Sequence, residues 1–186
     1  MQKLAIGTVQ FGTDYGINSV AGQVKKKEVK RILSYAYSQG LDLLDTAPAY
    51  GNSEKVLGNS NIKNFKIVTK TRSFNNSKID QTSLKIIQND FSRSLKNLKR
   101  DSVYGILVHN ANDLLRPGSE ILFNKLNDLK RAKKIKKIGV SVYDHIQLQS
   151  ILENFEIDLV QLPFNILDRR LIDNGLLTTL QGKGVE

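Results

Sequence analysis

Short apolar stretches alternate with segments of helical periodicity along the whole chain of 186 residues, and this alternation limits the fold more than any other feature. The stretches, rich in β-branched and aliphatic residues, are LAIGTV (4–9), DLLDTA (42–47), KIVTKT (66–71), VYGILVHN (103–110), KKIGVSV (136–142) and DLVQLPFN (158–165). Strands that alternate with helices form parallel β-α-β units. The sequence therefore predicts an α/β protein with a parallel sheet.

Between the predicted strands, apolar residues recur at spacings of three and four, which places them on one face of a helix. The faces that show this spacing best are Val29, Ile32, Leu33 and Ala36, and Leu84, Ile87, Phe91, Leu95 and Leu98. Further helices are predicted from Ser53 to Leu57, from Ser119 past Leu129, around Ile151 to Phe155, and within 170–181, the last ending near Gly182.

Polar residues at the carboxyl ends of the strands decide between two parallel architectures. A doubly wound sheet needs a glycine-rich phosphate loop after its first strand, and GTVQFGTDYG (7–16) does not match that pattern. The predicted strand ends carry Asp45, Lys70, His109, Ser141, and Gln161 with Asn165. In a (β/α)8 barrel these ends converge on one mouth, where the catalytic residues of such enzymes lie. We therefore predict a fold of the (β/α)8 barrel type.

The predicted barrel is incomplete within these residues. A closed barrel has eight strands and typically about 250 residues, whereas only six strands are predicted here. We expect a single, C-terminally truncated barrel domain over residues 1–186, with a seventh strand due to begin in GKGVE (182–186). Because an unclosed barrel exposes apolar interior and strand edges, self-association is expected. The sequence leaves the oligomeric state open.

Composition and charge indicate a cytoplasmic protein. No apolar run approaches the roughly 18 residues that span a bilayer, the N-terminus does not have the pattern of a signal peptide, and the chain has no cysteine. The formal net charge is +10, but the densest basic run, KRAKKIKK (130–137), has no interleaved aromatic residues. We expect solvated helix faces to carry this charge and expect binding to neither membrane nor nucleic acid.

Four of the polar residues form a set that suits protonation of a carbonyl oxygen. A tyrosine hydroxyl has an unperturbed pKa of about 10, and a nearby lysine ammonium favours the phenolate, which would make Tyr50 a usable proton donor. Asp45 would hold Lys70 in place and charged, and His109 would orient the substrate oxygen. Each residue alone has an ordinary structural explanation. Their occurrence together at successive strand ends is what indicates an active site.

The sequence resembles the aldo-keto reductases, particularly bacterial members with the loop DTAxxYGxSE, present here as DTAPAYGNSE (45–54). Other matching stretches are GTVQFG (7–12), VTKT (68–71), LVHN (107–110), IGVSV (138–142) and VQLPFN (160–165). The family is a (β/α)8 barrel that reduces aldehydes and ketones with NADPH and without a metal. The resemblance therefore implies a small-molecule carbonyl substrate and NADPH as cofactor, with NADH still open.

The resemblance also implies a role for each site residue. Tyr50 is expected to be the general acid, tuned by Lys70 and Asp45, and His109 to position the carbonyl. For the cofactor, the implied contacts are Asp45 with the nicotinamide ribose, Ser141 and Gln161 with the nicotinamide amide, and Thr8 along the cofactor from the first strand.

Two departures from the family pattern concern the cofactor. Val142 stands where the family usually has an asparagine, which removes one amide partner. The aromatic residue of the seventh strand and the phosphate-binding loops after strands seven and eight have no counterpart within residues 1–186. From these 186 residues alone we expect weak NADPH affinity and little or no activity.

Two other functions remain open. Lys70 at a barrel strand end also suits a Schiff-base lyase, in which a lysine with a depressed pKa is the covalent nucleophile. A non-catalytic binding or regulatory protein could keep the barrel frame without turnover. The pairing of Asp45 with Lys70 argues against the lyase, and the retention of all four polar residues argues against the binding protein.

Overall fold

A computed structural model describes residues 4–16, 22–74 and 76–186. Its six strands lie in one sheet in chain order: β1 (Ile6–Gly7), β2 (Leu43–Asp45), β3 (Lys66–Lys70), β4 (Val103–Val108), β5 (Ile135–Ser141) and β6 (Leu159–Gln161). β2 pairs in parallel with β1 and with β3, and β5 pairs in parallel with β6. The predicted alternation of parallel strands with helices is confirmed.

Helices connect the strands, most of them at the positions that the apolar spacing predicts. They are α1 (Val9–Gly12), α2 (Lys26–Ser38), α3 (Ser53–Gly58), α4 (Gln81–Leu98), α5 (Ser119–Arg131), α6 (His145–Asn154), α7 (Arg170–Asp173) and α8 (Leu176–Gly182), with a 3-10 helix at Ala111–Leu114 after β4. The buried residues of α2 are Val29, Leu33 and Ala36, which belong to the predicted face. No helix in the described part of the chain is long and apolar enough to cross a membrane.

Three predicted boundaries were wrong. The single helix expected within 170–181 is divided into α7 and α8, because Gly175 between them has a φ of +72°, in the left-handed region. The strand expected over 158–165 ends at Gln161, before Pro163, which has no N–H for a strand ladder. The first strand ends at Gly7, and Val9 begins a helical turn that the N–H of Thr13 closes on the carbonyl of Val9 at 3.0 Å.

The chain divides into two compact units, and the first consists of Met1–Lys70 and Asn89–Tyr104. Leu44 of β2 and Ile67 of β3 form its centre, at 0% and 1% exposure. Each of these two strands has an apolar centre and a charged last residue, Asp45 in β2 and Lys70 in β3. The first unit therefore presents a carboxylate and an ammonium at the ends of two paired strands.

The second unit consists of Thr71–Gln88 and Gly105–Glu186. The apolar residues of β4 and β5 are buried in it with Leu122 and Leu126 of α5. At its far end the N–H of Glu186 donates to the carbonyl of Asp158 at 3.0 Å, and the N–H of Val160 donates to the carbonyl of Glu186 at 2.8 Å. Glu186 thus pairs with the β6 segment in the way that a neighbouring strand does. The expectation of one domain over residues 1–186 stays a prediction.

Candidate active site

Asp45 and Lys70 form an ion pair at the carboxyl ends of β2 and β3. The Lys70 ammonium donates to Asp45 Oδ1 and, at 3.2 Å, to the carbonyl oxygen of Thr46. The side chain of Lys70 is 0% exposed, whereas that of Asp45 keeps 17% of its surface exposed. A buried ammonium is costly unless it is paired and hydrogen-bonded, and both partners come from the loop end of β2.

Burial lowers the pKa of Lys70 below its usual value of 10.5, because a poorly solvated interior disfavours the ammonium. The charge of Asp45 and its hydrogen bond act in the opposite direction and offset only part of this effect. The sequence correctly placed the carboxylate beside Lys70. It did not reveal that burial would lower the pKa of Lys70 by more than the Asp45 carboxylate raises it.

Tyr50 lies in the loop between β2 and α3, beside this ion pair. The Lys70 Nζ atom is 5.1 Å from the centroid of the Tyr50 ring, and Tyr50 is half-buried. The structure therefore brings together three of the four predicted catalytic residues, Asp45, Tyr50 and Lys70, within the first unit. This distance to the ring centre is within the range of a cation–π contact.

A buried cluster of hydroxyl groups fixes the start of α3 against the ends of β1 and β2. Ser53 Oγ lies 2.9 Å from both the carbonyl oxygen and Oγ1 of Thr8, and 3.2 Å from Thr46 Oγ1. Thr8 Oγ1 in turn donates to the carbonyl oxygen of Asp45 at 2.8 Å. All three hydroxyl residues are 0% exposed. Thr8 therefore supports the Asp45 backbone; its predicted contact with a cofactor stays a prediction.

Two glycines allow α1 to approach the Tyr50 loop closely. A Cβ atom on Gly12 would lie 1.8 Å from the carbonyl oxygen of Tyr50 and 2.4 Å from the N–H nitrogen of Ser53. Gly51 has a φ of +57°, and a Cβ atom there would lie 2.5 Å from the carbonyl oxygen of Gly12. Only residues without a side chain fit this contact, so Gly12 and Gly51 help to set the position of Tyr50.

We expect Gly12→Ala to lower the free energy of unfolding by about 1–3 kcal/mol, because the added methyl group must displace the Tyr50 loop. Urea denaturation of the variant and the parent protein measures the difference. Gly7→Ala is the matched control, since a Cβ atom there meets nothing within 4 Å. Equal stabilities of Gly12→Ala and Gly7→Ala would contradict the close contact.

In the second unit, His109 directly follows β4 and is half-buried. Its backbone N–H donates to Thr71 Oγ1 at 3.3 Å, and the N–H of Thr71 donates to the carbonyl of Leu107 at 2.9 Å. Thr71, the residue after β3, thus anchors the backbone of His109. The sequence placed Thr71 in the matching stretch VTKT without indicating this contact.

Ser141 and Gln161, the last residues of β5 and β6, are direct neighbours in the sheet. The N–H of Val142 donates to the carbonyl of Gln161 at 2.9 Å and extends the pairing by one step. Neither the Ser141 hydroxyl nor the Gln161 amide side chain has a hydrogen-bond partner among the described residues. Two adjacent polar groups thus remain available to a ligand.

Within the same described ranges, no three His, Asp or Glu side chains are grouped closely enough to hold a metal ion. The expectation of a metal-free reaction stays a prediction. The polar groups that the strand ends do offer are an ion-paired lysine, a tyrosine and the hydroxyl–amide pair of Ser141 and Gln161.

The strand order and these strand-end residues define a fold of the (β/α)8 barrel type with six of its strands present, as the sequence predicts. The chain belongs to the aldo/keto reductase family, whose model matches residues 3–186. A crystal structure of a Pseudomonas aeruginosa protein described as an aldo-keto reductase is similar to this chain, with a TM-score of 0.78 and 26% sequence identity. The match covers 97% of this chain and 70% of the Pseudomonas aeruginosa chain.

Two curated relatives match nearly the whole chain. The NADH-specific methylglyoxal reductase of Escherichia coli is 26% identical over 100% of this chain and 61% of its own length. The aldo-keto reductase YhdN of Bacillus subtilis is 27% identical over 97% of this chain and 57% of its own length. The chain thus spans about three fifths of the length of the curated relatives that it matches.

Proposed function

We propose that the protein is a carbonyl reductase in which Tyr50 donates a proton to the oxygen of an aldehyde or ketone. The observation that carries this proposal is the fully buried Lys70 ammonium, which is paired with Asp45 and lies 5.1 Å from the Tyr50 ring centroid. A nicotinamide cofactor, when bound, would supply the hydride that the carbonyl carbon accepts. The substrate class is then a small carbonyl compound.

The proton transfer follows from the charges of the three residues. When the O–H bond of Tyr50 breaks, its proton goes to the carbonyl oxygen and the phenolate stays behind. Lys70 stabilises this phenolate by its charge, and Asp45 keeps the ammonium in place through the hydrogen bond to Nζ. Solvent returns a proton to Tyr50 after the alcohol leaves. By the resemblance of LVHN (107–110), His109 is assigned to orient the carbonyl oxygen.

The residues of the second unit that would hold the nicotinamide fit its chemistry. A carboxamide has one acceptor oxygen and one NH2 donor, and Ser141 and Gln161 offer both donors and acceptors side by side. In the first unit, the Asp45 side chain is 17% exposed and its carboxylate can accept from a hydroxyl group, and by the resemblance we assign it to the nicotinamide ribose. NADPH is proposed from the resemblance, and the Escherichia coli relative, named as NADH-specific, keeps NADH open.

We expect Gln161→Leu to weaken nicotinamide cofactor binding by about fivefold, the equivalent of one hydrogen bond of about 1 kcal/mol. Fluorescence titration with NADPH and with NADH gives the Kd values. Gln149→Leu makes the same chemical change on the exposed surface of α6 and should leave both Kd values unchanged. If the two variants bind equally well, Gln161 does not contact the cofactor.

Borohydride trapping separates the reductase from the Schiff-base lyase. The lowered pKa of Lys70 would help an amine nucleophile, but its side chain is 0% exposed and donates to Asp45 and Thr46. We therefore propose that a carbonyl substrate such as methylglyoxal forms no adduct there. Mass spectrometry after borohydride treatment tests this, and a reduced covalent adduct on Lys70 would support the lyase instead.

A binding or regulatory role without turnover is the remaining alternative. An assay of methylglyoxal reduction with NADPH or NADH distinguishes it, and the name of the Escherichia coli relative makes that small dicarbonyl the first substrate to test. Weak cofactor affinity and low activity of the 186 residues alone stay predictions, as does self-association.

A further inference from the structure

Glu54 is a buried carboxylate that the proposed reaction does not use. It is the second residue of α3 and is 4% exposed. Its Oε1 atom accepts a hydrogen bond from Thr69 Oγ1 at 2.9 Å, and its Oε2 atom lies 3.5 Å from Asn97 Nδ2. A buried acid costs stability unless polar groups satisfy it, so an acid at this position calls for an explanation beyond packing.

The hydrogen bond between Glu54 and Thr69 joins the two elements that carry the proton-transfer groups. Thr69 immediately precedes Lys70 in β3, and Glu54 lies four residues after Tyr50, in the helix that follows the Tyr50 loop. Because successive side chains of a strand point to opposite faces, Glu54 contacts β3 on the face opposite to Lys70. It can therefore fix the strand without occupying the space around Tyr50.

The side-chain hydrogen bonds of Ser53, also in α3, reach the ends of the first two strands rather than β3. Ser53 bonds to Thr8 and Thr46 and so ties α3 to the ends of β1 and β2. Among the hydrogen bonds between side chains of α3 and β3 in the described chain, the one from Thr69 to Glu54 is direct and fully buried. Because the Tyr50 loop leads into α3 and Lys70 ends β3, the spacing between Tyr50 and Lys70 depends on the packing of α3 against β3.

We propose that Glu54 is a positioning residue that holds the Lys70 ammonium at its working distance from Tyr50 through Thr69. The inference rests on the proposed function of Tyr50 as proton donor. The attraction between an ammonium and a phenolate falls with distance, so a loosened contact between α3 and β3 should leave the phenolate less stabilised. Tyr50 would then release its proton at a higher pH.

The experiment measures the pH at which half of Tyr50 is deprotonated, its deprotonation midpoint, from the absorbance of tyrosinate. The signal of Tyr50 is obtained by subtracting the absorbance of the same protein carrying Tyr50→Phe, which removes the other tyrosines from the titration. We expect Glu54→Met and Thr69→Val each to raise this midpoint by about half a pH unit or more, a threefold change in the proton-dissociation constant. Glu54→Gln should not raise the midpoint, because an amide oxygen can still accept from Thr69 and the lost negative charge favours the phenolate. The double variant Glu54→Met with Thr69→Val should shift it no further than one change alone.

The sign of the shift separates positioning from a direct charge effect. Removing a negative charge near a phenol favours the phenolate and would lower the midpoint, whereas loss of positioning raises it. Thr69→Val changes no charge and keeps a β-branched side chain. If Glu54→Met does not fold, Thr69→Val therefore tests the same hydrogen bond from its other partner.

Val56→Ala is the matched control for stability. Val56 lies in the same helix and is 5% exposed, so its truncation lowers the free energy of unfolding without touching the Glu54–Thr69 hydrogen bond. We expect it to leave the Tyr50 midpoint unchanged. If Glu54→Met and Thr69→Val behave like Val56→Ala, lowering the free energy of unfolding but leaving the Tyr50 midpoint unchanged, Glu54 has only a structural role and the proposal is overturned.

Lys70→Met distinguishes this failure from failure of the proposed function. If Lys70→Met raises the Tyr50 midpoint and the Glu54 and Thr69 variants do not, only the positioning role is wrong. If Lys70→Met also leaves the midpoint unchanged, the lysine does not act on the tyrosine, and both the proposed proton donor and the positioning role are wrong.

Discussion

In a full-length version that carries all eight strands, replacing Tyr50 with phenylalanine is expected to abolish carbonyl reduction while leaving nicotinamide cofactor binding nearly intact. Phenylalanine keeps the ring that lies 5.1 Å from Lys70 Nζ and removes only the hydroxyl group. Without it, no proton reaches the carbonyl oxygen from this position as the hydride arrives. General acid catalysis contributes roughly 10²–10⁴-fold to such rates, so kcat should fall by about that factor.

The measurement is the rate of methylglyoxal reduction at saturating NADPH, together with the cofactor Kd from fluorescence titration. Tyr35→Phe is the matched control, because Tyr35 on α2 is 70% exposed and loses the same atom. Equal kcat values for the two variants would remove Tyr50 from its role. A large rise in Kd with Tyr50→Phe would instead indicate that the hydroxyl serves cofactor binding.

The sequence predicts several strand ends well because a polar residue follows an apolar run there. Asp45, Lys70, Ser141 and Gln161 were chosen as polar residues at the carboxyl ends of apolar stretches, and each is the last residue of an observed strand. In a buried parallel strand the interior residues are necessarily apolar. A polar residue at the end of such a run therefore indicates where the strand ends. Where two strands are neighbours in the sheet, their last residues lie side by side, as Ser141 and Gln161 do.

The supporting contacts could not be predicted in the same way. Ser53 and Thr8 are 45 positions apart, and small hydroxyl residues occur in every kind of local structure, so neither periodicity nor spacing reveals that they meet. The contact between Gly12 and the Tyr50 loop is equally hidden, because it consists of a missing side chain. Such contacts depend on packing between distant segments, which a single sequence does not specify.

Glu54 is an intermediate case. The stretch DTAPAYGNSE (45–54) contains it, and the periodicity predicts a short helix that includes it. Nothing in the local pattern shows that an acid in the first turn of a helix would be buried, since such residues commonly face solvent near the positive end of the helix dipole. Its partner Thr69 lies 15 residues away, on another element.

Asp45→Asn is expected to be the most destabilising change at the ion pair, and its effect should depend on pH. The asparagine removes the charge that offsets the burial of Lys70 and leaves an ammonium with 0% exposure. Breaking a buried ion pair from one side costs about 3–5 kcal/mol. Because Asp45 keeps 17% of its side chain exposed, we expect the lower end of this range, about 3 kcal/mol at pH 7.

The direction of the pH dependence follows from the lowered pKa of Lys70. In the unfolded chain Lys70 binds its proton up to about pH 10.5, whereas the folded protein releases it at a lower pH. Between these two values the unfolded state binds more protons, so the contribution of Lys70 to stability rises with pH and is lost as pH falls through the folded pKa. Asp45→Asn lowers the folded pKa further, so its destabilisation should shrink as the pH approaches 10.5.

Lys70→Met separates this electrostatic effect from packing. A methionine of similar length fills the buried site and removes the desolvation cost of the ammonium, and the Asp45 carboxylate that loses its partner keeps 17% of its side chain exposed to water. We therefore expect Lys70→Met to retain stability but lose turnover, and Asp45→Asn to cost little in the Lys70→Met background. Urea denaturation of both single variants and the double variant at pH 7 and pH 10 measures the coupling. A cost of Asp45→Asn that is the same with and without Lys70 would show that the aspartate stabilises the fold independently of the ion pair.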